Sequence, residues 1–530
     1  MEKKKFELKH LDGEPIIRVG VFQGQNHVDF ILKDPFDVFD LDGNVLIKNV
    51  HNSRRWRVKI KEQIAGKEVF ELILFETPNE NLALERLKEA QDISEQARIE
   101  VLGGEIYLNE SKVNENVKYQ IVSGEYSDEK RAKRDMIRYR PQFNPIVNKK
   151  VIKEPVGRIE LFDSEYEHSI ELDDGVRIIP HDYSSVVHFL EVVKYDKFFQ
   201  KEYRRDYYYN GGIEIRFDPT GDLMAISELP LEQYLKRAVF SESEENLPKD
   251  FYKAMAIVIR SEILARVGHQ HRTEKFDLCD WGHCMRYYGE KFNDPNIDTA
   301  IEETRGQVLQ LEDGKVLDAY FNLICGGHTE DAARVWDMDQ KSATHGKFDG
   351  KLIPDDFKGL QSEDQVKQWI NSRPDAFCNL QNRQVPKALL VTNKYFRWEV
   401  YYTRKELQDL IIKKVGIDLG ELIDIIPVRR GSSGRLKEVE LIGSLKTITL
   451  KGELNIRSAL SHDYLDSSCF YVEKELDDSG FPISFILLGA GQGHGVGMCK
   501  TGASVMALEG FKSDEILEHY FESSDVVKIY

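Results

Sequence analysis

The sequence predicts an α+β protein of several domains. Short β-prone runs and helical patterns fall in separate blocks along the chain rather than alternating strictly. At 530 residues the chain is longer than one hydrophobic core serves, so two to four domains are expected. A hydrophobic content of 41% is enough to build those cores.

The first block spans 14–75. IIRVGVF, HVDFIL, NVLIKNV, RWRVKI and VFELILF are strand-like runs separated by Gly, Asp and Asn turns. They predict a β-rich segment over 1–68. Residues 69–152 repeat strand, turn and helix, first in VFELILFETPNENLALERLKEA and again in KYQIVSGEYSDEKRAKRDMIRY. Leu84, Leu87 and Ala90 recur at i, i+3, i+6, and Ala132 and Met136 at i, i+4. This module resembles the SPOR fold of peptidoglycan-binding modules, which is built from two β-α-β halves.

The remaining block, 153–530, begins with strands over 155–235 and continues with helices over 233–310. Strand and loop are expected around Cys325-Gly326-Gly327, then a polar surface insertion over 337–375. Strands return over 385–475, with a helix at 404–416 between them, and two helices close the chain after a glycine run.

A net charge of −18 makes free nucleic acid and anionic membrane poor partners. No apolar run approaches the roughly 18 residues that would cross a bilayer. The N-terminus MEKKKFELKHLDGEP has no apolar h-region, so no signal peptide is visible. Six cysteines are too few for a disulfide scaffold.

Four segments could carry chemistry. Gly489 to Gly497 reads GAGQGHGVG. Alternating glycines weaken a strand and suit a wall that something approaches closely. His494 is the one side chain of the run able to carry a proton or bind a metal near neutrality. In the second segment, Asn246 is a plausible N-cap and Pro248 a first-turn residue for a helix burying Phe251, Ala254, Met255 and Val258. Ser241 and Glu242 precede it. A carboxylate there is placed to act in a cleft, where apolar neighbours would let it serve as an acid. In the third, DLCDWGHCMRYYG, Cys279, His283 and Cys284 offer two thiolates and an imidazole that suit Zn2+, with a fourth position open. In the fourth, AYFNLICGGHTEDAARVW, Cys325 and His328 flank a tight Gly326-Gly327 backbone, and a Cys–His nucleophile pair is conceivable.

Taken in order, these segments resemble the SpoIID/LytB family, which includes the sporulation protein SpoIID and the amidase enhancer LytB. The family pattern VVxSEMPxxWPxEALKAQAxAARTY lies without gaps on Val239 to Glu262. CxxxHCQxYxG matches Cys279, His283, Cys284, Tyr287 and Gly289. SGGxT matches Cys325-Gly326-Gly327 and Thr329, with VW at Val335-Trp336. SxSGR matches Gly431 to Arg435, and GRGWGHGVGMSQxGA matches Gly489 to Ala503. Coverage runs from about 155 to the last residue.

The resemblance implies a SpoIID-like core and a peptidoglycan lytic transglycosylase that cleaves glycan strands to 1,6-anhydro-muramyl ends. It makes Glu242 the catalytic acid and Cys279, His283 and Cys284 a site for one zinc ion. Ser241, Lys253, Arg260, Tyr287, Gly326, Gly327, His328, Gly493, His494 and Gly495 would bind substrate. Glycan strands are the implied partner, together with an N-acetylmuramoyl-L-alanine amidase if the chain acts as an enhancer, and the implied location is extracytoplasmic. Two further readings stand beside it: a LytB-like protein that binds the wall without cutting it, and a zinc-dependent cell-wall hydrolase with His494 or His328 completing the metal site. The chain departs from the family pattern at Ser243-Glu244, which replace Met-Pro, at Cys325 and Cys499, which replace serines, and at Gln492, which replaces a tryptophan.

Overall fold

The computed structural model describes residues 4–140, 142–165, 167–196, 201–243, 246–280, 284–289, 294–336, 344–352, 357 and 359–530. It is a strand-rich mixture of α and β built on several sheets, in keeping with the α+β expectation.

One sheet runs in the order His10–Leu11, Glu14–Gln25, Leu223–Pro230, Gly212–Phe217, Gly175–Pro180, Phe36–Phe39 and Val45–Val50. Leu278–Cys279 joins it parallel to Glu14–Gln25. A second sheet runs Ser169–Asp173, Val156–Asp163, Trp56–Ile64, His27–Ile31, Val186–Asp196 and Lys201–Asn210. Both contribute to one apolar core, with Val19, Val21, Ile178 and Ile215 from the first and Phe30, Trp56, Leu161 and Phe189 from the second.

The boundary expected at 68 therefore does not hold. Early strands pair with late ones, as Val19 with Ser227 and Val58 with Leu161. The cause is burial: the early strands find much of the surface that covers their apolar residues between 156 and 230.

Residues 67–153 do form a module of their own. Its sheet runs Ile146–Lys153, Lys67–Thr77, Lys118–Tyr126 and Arg98–Leu102, antiparallel throughout. With helices Glu80–Ile93 and Glu129–Tyr139 this is a β-α-β-β-α-β unit, the two-half order expected. Asn79 and Asp128 cap the helices by accepting from the N–H of Leu82 and Arg131. The first helix buries Ala83 and Ala90 and leaves Leu84 exposed, a turn of the face away from the predicted one. A hairpin of Gly104–Leu108 and Ser111–Glu115 leaves the module and adds Lys4–Glu7 as a parallel strand. Its end docks on the core: Asn116 Nδ2 donates to the carbonyls of Ala265 and Val267, both at 2.8 Å.

Helices Leu231–Glu242 and Lys249–Ala265 follow the sheets. Asn246 does not cap the second helix. It sits at φ 61°, and the N-cap is Pro248, whose ring fixes its φ near −61°. Glu242 is not in a loop but is the last residue of the first helix. The second helix is buried nearly all round, including Ile257 and Ile259 as well as the predicted face.

Beyond residue 390, a sheet of Trp398–Thr403, Pro482–Gly489 and Phe470–Leu476 and another of Leu422–Arg430, Leu436–Gly443 and Thr447–Lys451 share a second core. Helix Arg404–Val415 belongs to it, capped by a Thr403–Glu406 box and ended by Gly416 at φ 76°. The insertion over 337–375 is not wholly surface. Residues 337–343, 353–356 and 358 lie outside those described, but helix Glu363–Ser372 buries Trp369 to 1% exposure against Phe348 and Phe357. Two late pairings close the chain onto the helices: Ser524–Lys528 with Gln307–Leu311, and Met498–Cys499 parallel to Phe321–Asn322. Among the described residues no helix is long and apolar enough to cross a membrane.

Arg260 is a structural residue here. It is fully buried, makes a two-point ion pair with Glu232 at 3.0 and 2.6 Å, and donates to the Gln307 carbonyl. Arg260→Ala strands a buried Glu232 carboxylate and should destabilise the protein by about 3–5 kcal/mol in denaturant titration.

Candidate functional site

Glu242 is where three distant segments meet. Its Oε1 accepts the main-chain N–H of Arg286 at 3.0 Å. Its Oε2 and its carbonyl both accept from the Lys500 ammonium at 2.7 Å. The Glu242 and Lys500 side chains are 9% and 10% exposed, so water screens this pair little. Beside it, Ser241 Oγ accepts the N–H of Tyr288 at 3.1 Å. The carboxylate is thus sheltered as expected, but by a charge partner and a main-chain donor rather than an apolar cradle. Lys500 falls on the glutamine of the family pattern GHGVGMSQxGA, and the sequence reading did not single it out. Glu244, one of the two departures that follow Glu242, lies outside the described residues.

The glycine run is held against the Cys325-Gly326-Gly327 loop. Gly491, Gly493, Gly495 and Gly497 all have φ between 74° and 82°, where side chains are strained. At three of them there is also no room. A Cβ would fall 2.6 Å from the Cys325 carbonyl oxygen at Gly491, 2.3 Å from Arg435 Cζ at Gly495 and 2.0 Å from the Tyr320 carbonyl oxygen at Gly497. Gly493 faces open space. Arg435, 1% exposed, donates to the carbonyls of Gly493 and Cys325, both at 3.1 Å, and to Ser433 Oγ at 2.9 Å. Ser432 and Ser433 in turn donate to the buried Glu330 carboxylate. The SxSGR, SGGxT and glycine-run motifs therefore form one network.

A cleft of about 1510 Å³ opens between the 67–153 module and this network. Arg266, His271, Asp318, Tyr320, Glu330, Trp336 and Arg435 are on its wall. Tyr320 and Trp336 stack at 4.3 Å, and the His494 ring packs against both, at 6.1 and 5.1 Å. These rings supply an aromatic wall although Gln492 replaces the family's tryptophan. His494 Nδ1 accepts the Val496 N–H at 3.0 Å, which leaves Nε2 as the protonated nitrogen. Burial and the Arg435 charge push its pKa down to about 3, so it is a neutral hydrogen-bond donor.

Glu242 is not on the cleft wall, but Glu262 connects the two. Glu262 pairs with Arg266, which donates to Asp318 at 2.7 Å, and it lies within electrostatic reach of Glu242. Burial raises the Glu262 pKa from 4.5 to about 7. The sequence offered a signal for it, since Glu262 stands at the closing tyrosine of the family pattern.

Cys279 and Cys284 converge with a residue the sequence reading missed. The donor atoms of His271, Cys279 and Cys284 all lie within 4.8 Å of one another. His271 Nε2 is 3.2 Å from Cys284 Sγ, and the two sulfurs are 3.8 Å apart. His271 Nδ1 faces the Glu274 carboxylate, the arrangement that orients an imidazole toward a metal. The donor set fits zinc. His283 lies outside the described residues.

Other predicted residues sit elsewhere. Lys253 pairs with Glu303. Tyr287, 1% exposed, is stacked between Tyr234 at 4.7 Å and Tyr209 at 5.8 Å and packs the core. His328 is buried, its Nδ1 2.7 Å from the Thr329 carbonyl, and nothing pairs it with Cys325 as a nucleophile's base. Gly326 and Gly327 have φ of 82° and 101°, and a Cβ on Gly326 would fall 2.6 Å from the Gly491 nitrogen.

Residues 220–311 match the family described as Stage II sporulation protein, and residues 330–497 match a domain of unknown function. The chain is 25% identical over 317 residues, 59% of its length, to an uncharacterized protein of Brachyspira hyodysenteriae, covering 71% of that protein. It is 23% identical over 317 residues to Stage II sporulation protein D of Bacillus amyloliquefaciens, covering 57% of this chain and 75% of that one. The same protein of Bacillus subtilis is 23% identical over 316 residues, 57% of this chain and 76% of that one.

Glu262 gives the site a pH signature. Between pH 4.5 and about 7 the unfolded chain has released this proton and the folded one has not, so stability falls as pH rises and levels above about 7. Glu262→Gln removes that slope. Relative to wild type it should gain about 1–3 kcal/mol between pH 4.5 and pH 8, read from denaturation curves across pH.

Proposed function

We propose that this chain, which belongs to the SpoIID family, cleaves peptidoglycan glycan strands with Glu242 as the single acid and base. Family membership supports a cell-wall-related function. The observation that carries the finer reading is the convergence on one sheltered carboxylate of the Ser241-Glu242 helix end, the 286–288 loop and Lys500 of the glycine run.

In this reading Glu242 protonates the leaving glycosidic oxygen. The same carboxylate then takes a proton from the muramyl C6 hydroxyl, which closes on C1 and leaves a 1,6-anhydro end without water. One carboxyl suffices, whereas classical glycosidases use two. Lys500 fixes the carboxylate in place. Tyr320 and Trp336, on the wall of the neighbouring cleft, would hold a part of the glycan away from the bond that Glu242 cleaves. Zinc, bound by His271, Cys279 and Cys284, would cross-link the segment that carries the Arg286 donor. The family works on the wall, so the site of action is extracytoplasmic.

One observation favours the second reading, a wall-binding protein that stimulates an amidase without cutting. Both Glu242 oxygens already accept hydrogen bonds, from Arg286 N–H and from Lys500, so a glycan oxygen must compete with those donors for the carboxyl group. Lys500→Gln restores the family residue and separates the two.

Incubation with sacculi and with denuded glycan should release anhydro-muramyl ends, and Glu242→Gln should lower that release at least about 100-fold while circular dichroism is unchanged. Full release by Glu242→Gln excludes the enzyme reading. Glycan binding by wild type without anhydro ends selects the second, and cleavage gained in Lys500→Gln would then identify the ion pair as the block. For the metal, His271→Ala should lower zinc content by one equivalent in elemental analysis.

A further inference from the structure

Three cysteines and one aspartate meet in the interior, away from His271, Cys279 and Cys284. Cys325, Asp349, Cys378 and Cys499 place one donor atom each within 4.8 Å of one another. None is more than 2% exposed. Cys325 Sγ is 3.2 Å from Asp349 Oδ2 and 3.6 Å from Cys378 Sγ. A tetrahedral zinc with Zn–S near 2.3 Å sets its sulfurs about 3.8 Å apart. The cluster is thus already close to the spacing of a filled site, and far from the roughly 2.05 Å of a disulfide.

Main-chain donors point at two of the three sulfurs. Cys499 Sγ accepts main-chain N–H bonds from Cys325 at 3.3 Å and Gly502 at 3.4 Å, and Cys325 Sγ accepts the N–H of Gly327 at 3.3 Å. Asp349 uses its second oxygen, Oδ1, to accept the Tyr520 hydroxyl at 2.8 Å and faces His519 Nε2 at 3.2 Å, which orients Oδ2 toward the sulfurs. Outer-shell bonds of this kind hold metal ligands in place.

Charge supplies an independent argument. Arg397 interacts electrostatically with Cys325 and Cys378. Its hydrogen bonds among the described residues all go to main-chain oxygens, those of Ile370, Gly326, Phe396 and Trp369. A guanidinium in such a place needs a counter-charge. Three thiolates and a carboxylate around a divalent ion carry a net charge of −2, which Arg397 would partly offset.

We propose that Cys325, Cys378, Cys499 and Asp349 bind a structural zinc ion. Binding releases the three thiol protons to solvent, and no redox step is involved. The four ligands come from the loop after Phe321–Asn322 (Cys325), from within the 337–375 insertion (Asp349), from just past its end (Cys378) and from the N-cap of helix Lys500–Leu508 (Cys499). One ion therefore ties the insertion to the two glycine-bearing loops of the candidate site. Four protein ligands leave no open position, so the role is to hold the fold and not to activate water.

The test uses the full chain purified under reducing conditions without chelator. The Cys279→Ser/Cys284→Ser variant, which leaves these four residues intact, should retain one zinc per chain. X-ray absorption on it should give three sulfurs and one lighter ligand. Adding Cys325→Ser/Cys378→Ser should lower the content from one to none. A folded Cys279→Ser/Cys284→Ser protein without metal overturns the proposal, as does a Cys325–Cys378 disulfide found by peptide mapping. The reading does not depend on whether zinc binds at Cys279 and Cys284, and it holds even if the quadruple variant fails to fold.

Discussion

Close backbone approach at the glycine run is the constraint on which the site depends. Gly491 lies where a Cβ would meet the Cys325 carbonyl, Gly495 where it would meet the Arg435 guanidinium, and Gly497 where it would meet the Tyr320 carbonyl. Any larger residue would push the run off the loop beneath it. Arg435 then fills the seam with donors to Gly493 and Cys325. Three consequences follow from this one contact. His494 is set against Tyr320 and Trp336, Cys499 is brought beside Cys325, and Lys500 reaches Glu242 from the first residue of its helix.

The electrostatics divide along the same seam. The Glu242 carboxylate at the end of its helix is matched by the Lys500 ammonium, which also accepts the role of capping the last carbonyl. Glu262 holds its proton near neutrality through burial, although Arg266 stands beside it. His494 remains neutral among arginines. A site built this way offers one fixed charge pair, one proton reservoir and one neutral donor.

Much of this was legible in the sequence where the signal is local. The helix at 404–416 carried its own capping box and C-terminal glycine, and the 69–152 repeat declared two strand–helix halves. In the fold, Ser241 and Glu242 meet Arg286 and Tyr288, which follow Cys284, and Lys500, which follows the glycine run. What failed was non-local. Strands Glu14–Gln25 and Trp56–Ile64 find partners at Leu223–Pro230 and Val156–Asp163, and no periodicity records a partner. The polar composition of 337–375 concealed Trp369, a single buried ring that organises the helix around it. His271 escaped because it precedes Cys279 by a loop instead of standing in the Cys-His-Cys spacing.

The departures from the family pattern gain meaning when placed in space. Cys325 and Cys499 replace two serines far apart in the sequence, and they sit against each other, with Cys378 and Asp349 beside them. A serine pair at this seam could bridge two loops by hydrogen bonds alone. A cysteine pair with two more donors can do so through an ion, which constrains four segments at once instead of two. Lys500 follows the same logic one residue later: it exchanges an amide contact for a charged one that fixes the carboxylate. Both positions sit at the junction between the glycine run and its neighbours, and Tyr320, whose carbonyl Gly497 closely approaches, also lines the cleft.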